Sequence, residues 1–216
     1  MRKIQDFGGF FDETTLVLCG DALIGITDVA QLALGLEPPG GHEPAAGLER
    51  LAVADLVAEW FETELLRATT VKVCTVIGLP SGVARSETKV LEAERAIQDG
   101  AQEIDMVINV GALKARDLEL VARDIRGVVS QAHDLGAIVK VIIEAVLLTD
   151  EEKTIACLLS KEAGADFVKT STGFGAAGAT VEDVRLMKTA VAGRAKVKAS
   201  GGIRDWKTAQ AMLEAG

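Results

Sequence analysis

Five short apolar runs in the second part of the chain are each followed by a stretch with helical spacing. The runs are rich in β-branched residues and too short for helices, so we predict strands that are buried on both faces. Five strand–helix units in succession predict a parallel sheet. Because crossovers between parallel strands are right-handed, two architectures remain possible, an open doubly wound sheet and a closed β/α barrel. The predicted strands are Val71–Ile77, Glu103–Ile108, Ile138–Ile143, Asp166–Lys169 and Lys196–Ala199.

The stretches between these runs carry helix signals. Apolar residues between Leu118 and Ala132 recur at steps of three and four, which lines one helix face. Thr149 with Glu152, and Thr180 with Asp183, fit the pattern of a helix cap. A glycine stands where each helix needs a closing residue in the left-handed conformation. These glycines are Gly100, Gly136, Gly164, Gly193 and Gly216.

The N-terminal third is less regular than the rest, which predicts an irregular portion over residues 1–68 and βα repeats over residues 69–216. Within the first portion we expect one strand at 11–19 and helices at 27–34 and 48–67. Prolines and glycines over 37–47 predict a loop. No second strand is recognisable there, and the sequence stops after a helix. We therefore expect the second strand to be unclear and the last βα unit to be absent, so that a barrel built from this sequence would be incomplete.

The net charge of −9 argues against a nucleic-acid partner, because proteins that bind nucleic acids usually show a basic face. Apolar runs are interrupted by charges before they reach membrane-spanning length, so we expect no membrane partner and a cytoplasmic location.

Cys19, Cys74 and Cys157 lie far apart with no metal-ligand spacing. We expect them to be small buried hydrophobic residues, and we expect neither a zinc site nor a disulfide framework.

Lys169 ends a predicted strand that also contains Phe167 and Val168, so its ammonium should be partly desolvated. Burial or a neighbouring cation such as Lys198 lowers a lysine pKa and makes the amine a nucleophile able to form a Schiff base. A lysine whose stem covers the sheet while its head reaches water is the alternative. Asp105 lies within another predicted strand and needs a partner. The three charges are compatible with an active site and with a buried structural network.

Two glycine-rich turns follow the two lysine strands. Their backbone N–H groups can converge on a phosphate, and paired turns after late strands are a common phosphate site in barrels. The turns are Gly173–Gly175 and Gly201–Arg204. Lys140 and Glu144 are an even number of residues apart on one predicted strand, so their side chains should lie on the same side of the sheet. Both are predicted to support the internal network of charges formed by Asp105, Lys169 and Lys198.

Five ordered segments resemble the deoxyribose-phosphate aldolase family, and the similarity is continuous over about residues 69–216. They are Val71–Gly78, Glu103–Lys114, Val139–Glu144, Ala165–Phe174 and Val197–Arg204. The resemblance implies a β/α barrel and a class I aldolase that needs no cofactor. Such enzymes reversibly cleave 2-deoxy-D-ribose 5-phosphate into D-glyceraldehyde 3-phosphate and acetaldehyde in deoxyribonucleotide catabolism.

By motif position the resemblance implies that Lys169 forms the Schiff base. Lys198 would tune its pKa and exchange protons, and Asp105 would belong to the proton relay. Lys140 has a supporting role. The residues expected to bind the sugar phosphate are Thr172, Gly173, Gly201, Gly202 and Arg204.

Two alternatives stay open at this point. Because residues 17–68 and the end of the chain depart from the family pattern, the chain could be a truncated or degenerate paralogue without catalysis. Such a paralogue would bind only a sugar phosphate or a partner chain. The chain could also be a Schiff-base aldolase for a different sugar phosphate. Unpaired strand edges would favour a homo-oligomer.

Overall fold

Six parallel strands lie side by side in the order in which the chain forms them. In this computed structural model the described residues are 15–18 and 72–216. The strands are β1 (Thr15–Leu18), β2 (Lys72–Ile77), β3 (Glu103–Val107), β4 (Ile138–Ile142), β5 (Phe167–Lys169) and β6 (Lys196–Lys198). A doubly wound sheet reverses its strand order at a switch point, whereas a β/α barrel keeps the order of the chain. The sequential order therefore selects the barrel topology.

Six α-helices of the described residues follow the strands. They are α1 (Ser86–Gln98), α2 (Val110–Lys114), α3 (Leu118–Asp134), α4 (Asp150–Glu162), α5 (Val181–Val191) and α6 (Trp206–Ala215), with a short 3₁₀ turn at Ala145–Leu147. Thr149 and Glu152 form the predicted capping box, and Thr180 caps α5 by accepting from the Asp183 N–H. Gly100, Gly136, Gly164 and Gly193 have the predicted positive φ.

Alternate residues of each strand face opposite sides, and the two sides differ in chemistry. One side packs against the helices and forms the apolar core with residues such as Ile104, Val141 and Val168. The register pairs Asp105 with Lys140 and Lys169 with Lys198, so these charges share the other side. The helices of the described residues pack on the apolar side, and the charged side faces the barrel interior.

All five predicted strands are confirmed to within one residue at each end. Strand β1 lies inside the range predicted for a first strand and pairs directly with β2. The helices predicted at 27–34 and 48–67 and the loop at 37–47 lie outside the described residues. In the described part of the chain, no helix combines the length and the apolar character needed to cross a membrane.

A second set of buried charges lies between helices α1 and α3, away from the barrel interior. Lys89 is fully buried, and its Nζ donates to Asp124 Oδ2 at 2.9 Å and to the Val107 carbonyl at 3.2 Å. The Ser86 hydroxyl donates to the other oxygen of Asp124. The ion pair thus fastens both helices to the end of β3.

Lys89→Met is expected to lower the free energy of unfolding by about 3–5 kcal/mol, because Asp124 would stay buried without its counter-charge. Urea unfolding of the variant and the wild type measures the difference. Arg194→Ala is the control, since it breaks an exposed pair with Glu162 whose contribution is at most about 1 kcal/mol. Equal effects of the two substitutions would contradict a stabilising role for the buried pair.

Candidate active site

Six polar or ionisable side chains from five neighbouring strands meet on the interior side of the sheet. Strands β2 to β6 all contribute, and every contributed residue has the inward parity that the register sets. All but the half-buried Lys198 are buried. The residues are Cys74, Glu103, Asp105, Lys140, Lys169 and Lys198.

Asp105 is at the centre of this cluster and has no exposed surface. Its Oδ2 lies 2.5 Å from Lys169 Nζ, and its Oδ1 lies 2.9 Å from Lys140 Nζ. The Cys74 thiol donates to Oδ1 at 3.2 Å. Burial opposes ionisation of Asp105, but the positive charges of Lys169 and Lys140 outweigh burial and lower the pKa of the carboxyl. Asp105 is therefore an anion shared by two lysines.

Lys140 completes this ion cluster on the side away from Lys169. Its Nζ contacts the carboxylates of Glu103 and Asp105 and donates to Cys74 Sγ at 3.2 Å. Burial disfavours its ammonium form, yet the negative charges of the Asp105 and Glu103 carboxylates raise the pKa of Lys140. Burial, aided by the Asp105 charge, raises the pKa of the Cys74 thiol to about 12, so the thiol keeps its proton.

The surroundings of Lys198 lower its pKa, whereas those of Lys140 raise the pKa of that lysine. Burial lowers the pKa of Lys198, the charges of Lys140 and Lys169 lower it further, and Asp105 offsets them only in part. That Lys198 tunes the pKa of Lys169 stays a prediction. In the structure Asp105 pairs directly with Lys169, and Lys198 lies beside Lys169 as its register partner.

The turns that follow β5 and β6 contact each other. The Thr170 hydroxyl and the backbone of Ser200 exchange two hydrogen bonds at 3.0 and 3.2 Å. A Cβ added at Gly178 would lie 2.2 Å from the Gly201 carbonyl, so only glycine allows this approach. The residues on either side of the Gly173–Gly175 turn thus contact Ser200 and Gly201, at the start of the second glycine-rich turn.

The residues expected to bind phosphate differ in their surroundings. Gly173, Gly201 and Gly202 all have positive φ, and within the described residues their N–H groups donate no hydrogen bond. Arg204 is exposed and has no ion pair in the part of the chain that the structure describes. Thr172 is buried, and its hydroxyl donates to Glu144.

Glu144 was predicted to join the network of Lys140, and this part of the prediction is wrong. Strand β4 ends at Ile142, and Glu144 has the left-handed φ of 52°. Strand parity therefore no longer applies at residue 144, and its carboxylate contacts Thr172 instead of the interior lysines.

Cys74 and Cys157 are buried, as predicted, but Cys74 is more than a small hydrophobic residue because its thiol bonds to Asp105 and Lys140. Sequence reasoning also gave Glu103 no role. The signal that identifies both is strand parity, since Cys74 pairs with Glu103 in the register and both share the side of Asp105. Among the described residues, no group of His, Cys, Asp and Glu side chains is arranged to hold a metal ion.

The DeoC/LacD family of aldolases matches residues 55–216, which is most of the chain. The chain belongs to this family. Deoxyribose-phosphate aldolase 1 of Bacillus licheniformis is 61% identical over 153 residues, which cover 71% of this chain and 68% of the relative. Deoxyribose-phosphate aldolase of Thermococcus kodakarensis is 62% identical over 146 residues, covering 68% and 65%. This DeoC/LacD chain thus matches about two thirds of the length of these relatives.

A solved structure supports the β/α-barrel fold of this DeoC/LacD aldolase. The deoxyribose phosphate aldolase of Aeropyrum pernix, whose structure is described as a unique tetramer, has a TM-score of 0.70 and 30% identity. The superposition covers 94% of this chain and 81% of the other. The strand order, the charged residues inside the barrel and the family membership therefore all indicate an aldolase barrel. Aldolases are carbon–carbon lyases.

Proposed function

We propose that this chain cleaves 2-deoxy-D-ribose 5-phosphate reversibly into D-glyceraldehyde 3-phosphate and acetaldehyde through a Schiff base on Lys169. The observation that carries the proposal is the buried Lys169–Asp105 contact of 2.5 Å beside Lys198 in the barrel interior. The identity of about 60% to relatives named deoxyribose-phosphate aldolase supports the substrate. It does not favour the alternative of a non-catalytic paralogue.

Lys169 must lose a proton before its amine can attack the open-chain aldehyde. Lys198 is its register partner, and its lowered pKa favours the neutral amine, the form that can accept that proton. Attack by the Lys169 amine and loss of water give an iminium at C1. The iminium withdraws the electron pair of the C2–C3 bond as that bond breaks.

The C3 hydroxyl loses its proton in the same step and becomes the aldehyde of glyceraldehyde 3-phosphate. The C2 carbon of the enamine then takes up a proton, and water releases acetaldehyde from Lys169. Asp105 stabilises the positive charges that form on Lys169 and, with Lys198, transfers these protons. Lys140 supports these proton transfers because it contacts Asp105 Oδ1 and so holds the carboxylate in place, while Oδ2 faces Lys169.

The phosphate group is assigned to the two neighbouring glycine-rich turns. Backbone N–H groups of Gly173, Gly201 and Gly202 would bind it, with Arg204 as the nearest side-chain cation of these turns in the sequence. Binding the phosphate there would hold C1 at Lys169, which lowers the entropic cost of the attack. The proposal also includes a homo-oligomer, in line with the tetramer described for the Aeropyrum pernix relative.

The test is to incubate the chain with 2-deoxyribose 5-phosphate and sodium borohydride, which reduces an iminium to a stable secondary amine. Peptide mass mapping is expected to find the adduct on Lys169. Release of glyceraldehyde 3-phosphate without borohydride should be measured in parallel. Turnover on other sugar phosphates tests the alternative of a different substrate. Absence of both adduct and product would overturn the proposal.

A further inference from the structure

Glu144 is a buried carboxylate that the proposed mechanism does not use. It is only 5% exposed and has a φ of 52°, a left-handed backbone conformation that residues with a Cβ rarely adopt. Its two neighbours are held in place, since the Ile143 N–H donates to the Lys169 carbonyl at 3.0 Å and the Ala145 N–H to the Thr170 carbonyl at 2.8 Å. Glu144 is thus attached to the backbone of the Lys169 segment itself.

One carboxylate oxygen of Glu144 organises the turn that follows β5. Oε2 accepts the Thr172 N–H at 3.1 Å and also the Thr172 hydroxyl. That hydroxyl in turn accepts the Phe174 N–H at 3.1 Å. Hydrogen bonds to an ionised acceptor are about twice as strong as neutral ones. The carboxylate therefore determines the backbone direction from Thr172 to Phe174.

The other carboxylate oxygen of Glu144, Oε1, lies next to Gly175. It is buried and has no hydrogen-bond partner among the described residues. A Cβ added at Gly175 would lie 2.9 Å from Oε1 and 3.1 Å from Val146 Cγ1. The loop backbone packs on the carboxylate so closely that a side chain at residue 175 would displace it.

We propose that Glu144 is a positioning residue that shapes the turn Thr172–Gly175 for the phosphate of the substrate. The inference rests on the function proposed above and extends it to a residue that acts only through Thr172 and Gly175. With Thr172 held by the Glu144 carboxylate and Phe174 held by the Thr172 hydroxyl, the N–H of Gly173 stays available to the phosphate. Glu144 thereby connects the end of β4 to the anion site beside Lys169.

The test compares 2-deoxyribose 5-phosphate with unphosphorylated 2-deoxyribose as substrates of Glu144→Ala. We expect KM for the phosphorylated sugar to rise about 10-fold or more, as the loss of hydrogen bonds to a charged group predicts, with a smaller change in kcat. The change in kcat/KM for 2-deoxyribose should be much smaller. Equal losses of kcat/KM on the two sugars would overturn the positioning role.

Two more conservative variants keep the test valid if Glu144→Ala does not fold. Glu144→Gln keeps one acceptor oxygen for Thr172 and should restore much of the KM. Thr172→Val removes the hydroxyl bridge between Glu144 and Phe174 and should raise KM for the phosphorylated sugar. A Thr172→Val enzyme with the KM of the wild type would also overturn the inference.

Glu152→Gln is the matched control, because Glu152 likewise accepts a backbone N–H, from Thr149 at 2.8 Å, but caps α4. It should leave KM for both sugars unchanged. Borohydride trapping of acetaldehyde separates the two proposals. A wild type without adduct contradicts the proposed function, whereas a wild type with adduct and an unaltered KM in Glu144→Ala contradicts only the role of Glu144.

Discussion

Lys169→Met is expected to abolish both the borohydride adduct and aldol cleavage, with a fall in kcat on the order of 10⁴-fold or more. Methionine fills a similar volume but has no amine, so neither the iminium nor its withdrawal of electrons from the breaking bond is available. Product release from 2-deoxyribose 5-phosphate, followed by an aldehyde assay, measures the loss. The same substitution tests the non-catalytic alternative, since turnover that depends on Lys169 excludes it.

Lys196→Met is the control for this variant. Lys196 lies two residues before Lys198 on β6, but it is exposed, and its Nζ lies 5.3 Å from the centre of the Phe167 ring. We expect Lys196→Met to keep the adduct and the turnover. An adduct that persists on Lys198 in Lys169→Met would contradict the assignment of the nucleophile.

The convergence of Asp105, Lys169 and Lys198 could be predicted from the sequence because a strand has a fixed period of two. Once the short runs are parallel strands in sequential order, residues of one parity must face one side of the sheet. Lys169 ends its strand and Lys198 ends the next, so their adjacency follows from the register alone. Which lysine pairs with Asp105 depends on side-chain conformations that spacing does not determine.

The position of Glu144 could not be predicted by the same rule. Parity holds only while the chain stays extended, and β4 ends two residues earlier, at Ile142. A glutamate with a left-handed backbone has no sequence signal, because glycine and asparagine are the residues that usually adopt it. Two backbone hydrogen bonds to the Lys169 segment impose this conformation, and these are tertiary contacts.

The buried pair of Lys89 and Asp124 was missed for a related reason. A lysine within a helix is normally assigned to the solvent side, and no local pattern shows that Lys89 has no exposed surface. Asp124 is adjacent in sequence to the buried Ile125 on α3, which was a weak indication. Pairing across two helices needs the packing of α1 against α3, which helical periodicity alone does not determine.

Asp105→Asn is expected to lower the free energy of unfolding at about pH 7 by roughly 3–5 kcal/mol and kcat/KM by about 10²- to 10⁴-fold. Asparagine has nearly the same shape as aspartate but no charge. Its NH₂ group is a donor and would face a lysine ammonium, which is also a donor, so that hydrogen bond would be lost. Lys140 and Lys169 would then be buried with less counter-charge. Urea unfolding and product release measure the two effects. Asp150→Asn removes the charge of an exposed carboxylate that pairs with Lys153, and it should cost at most about 1 kcal/mol.

The pH dependence identifies charge as the cause. Because the folded pKa of Asp105 is lowered, its stabilisation is fully present above the unfolded pKa of about 3.9 and is lost as the pH falls through the folded pKa. The difference in stability between wild type and Asp105→Asn should therefore shrink as the pH falls below about 4. A difference that stays constant over this range would mean that packing, and not the carboxylate charge, accounts for the loss. Lys169 should still form the borohydride adduct in Asp105→Asn, more slowly, since the nucleophile remains and only its proton partner has changed.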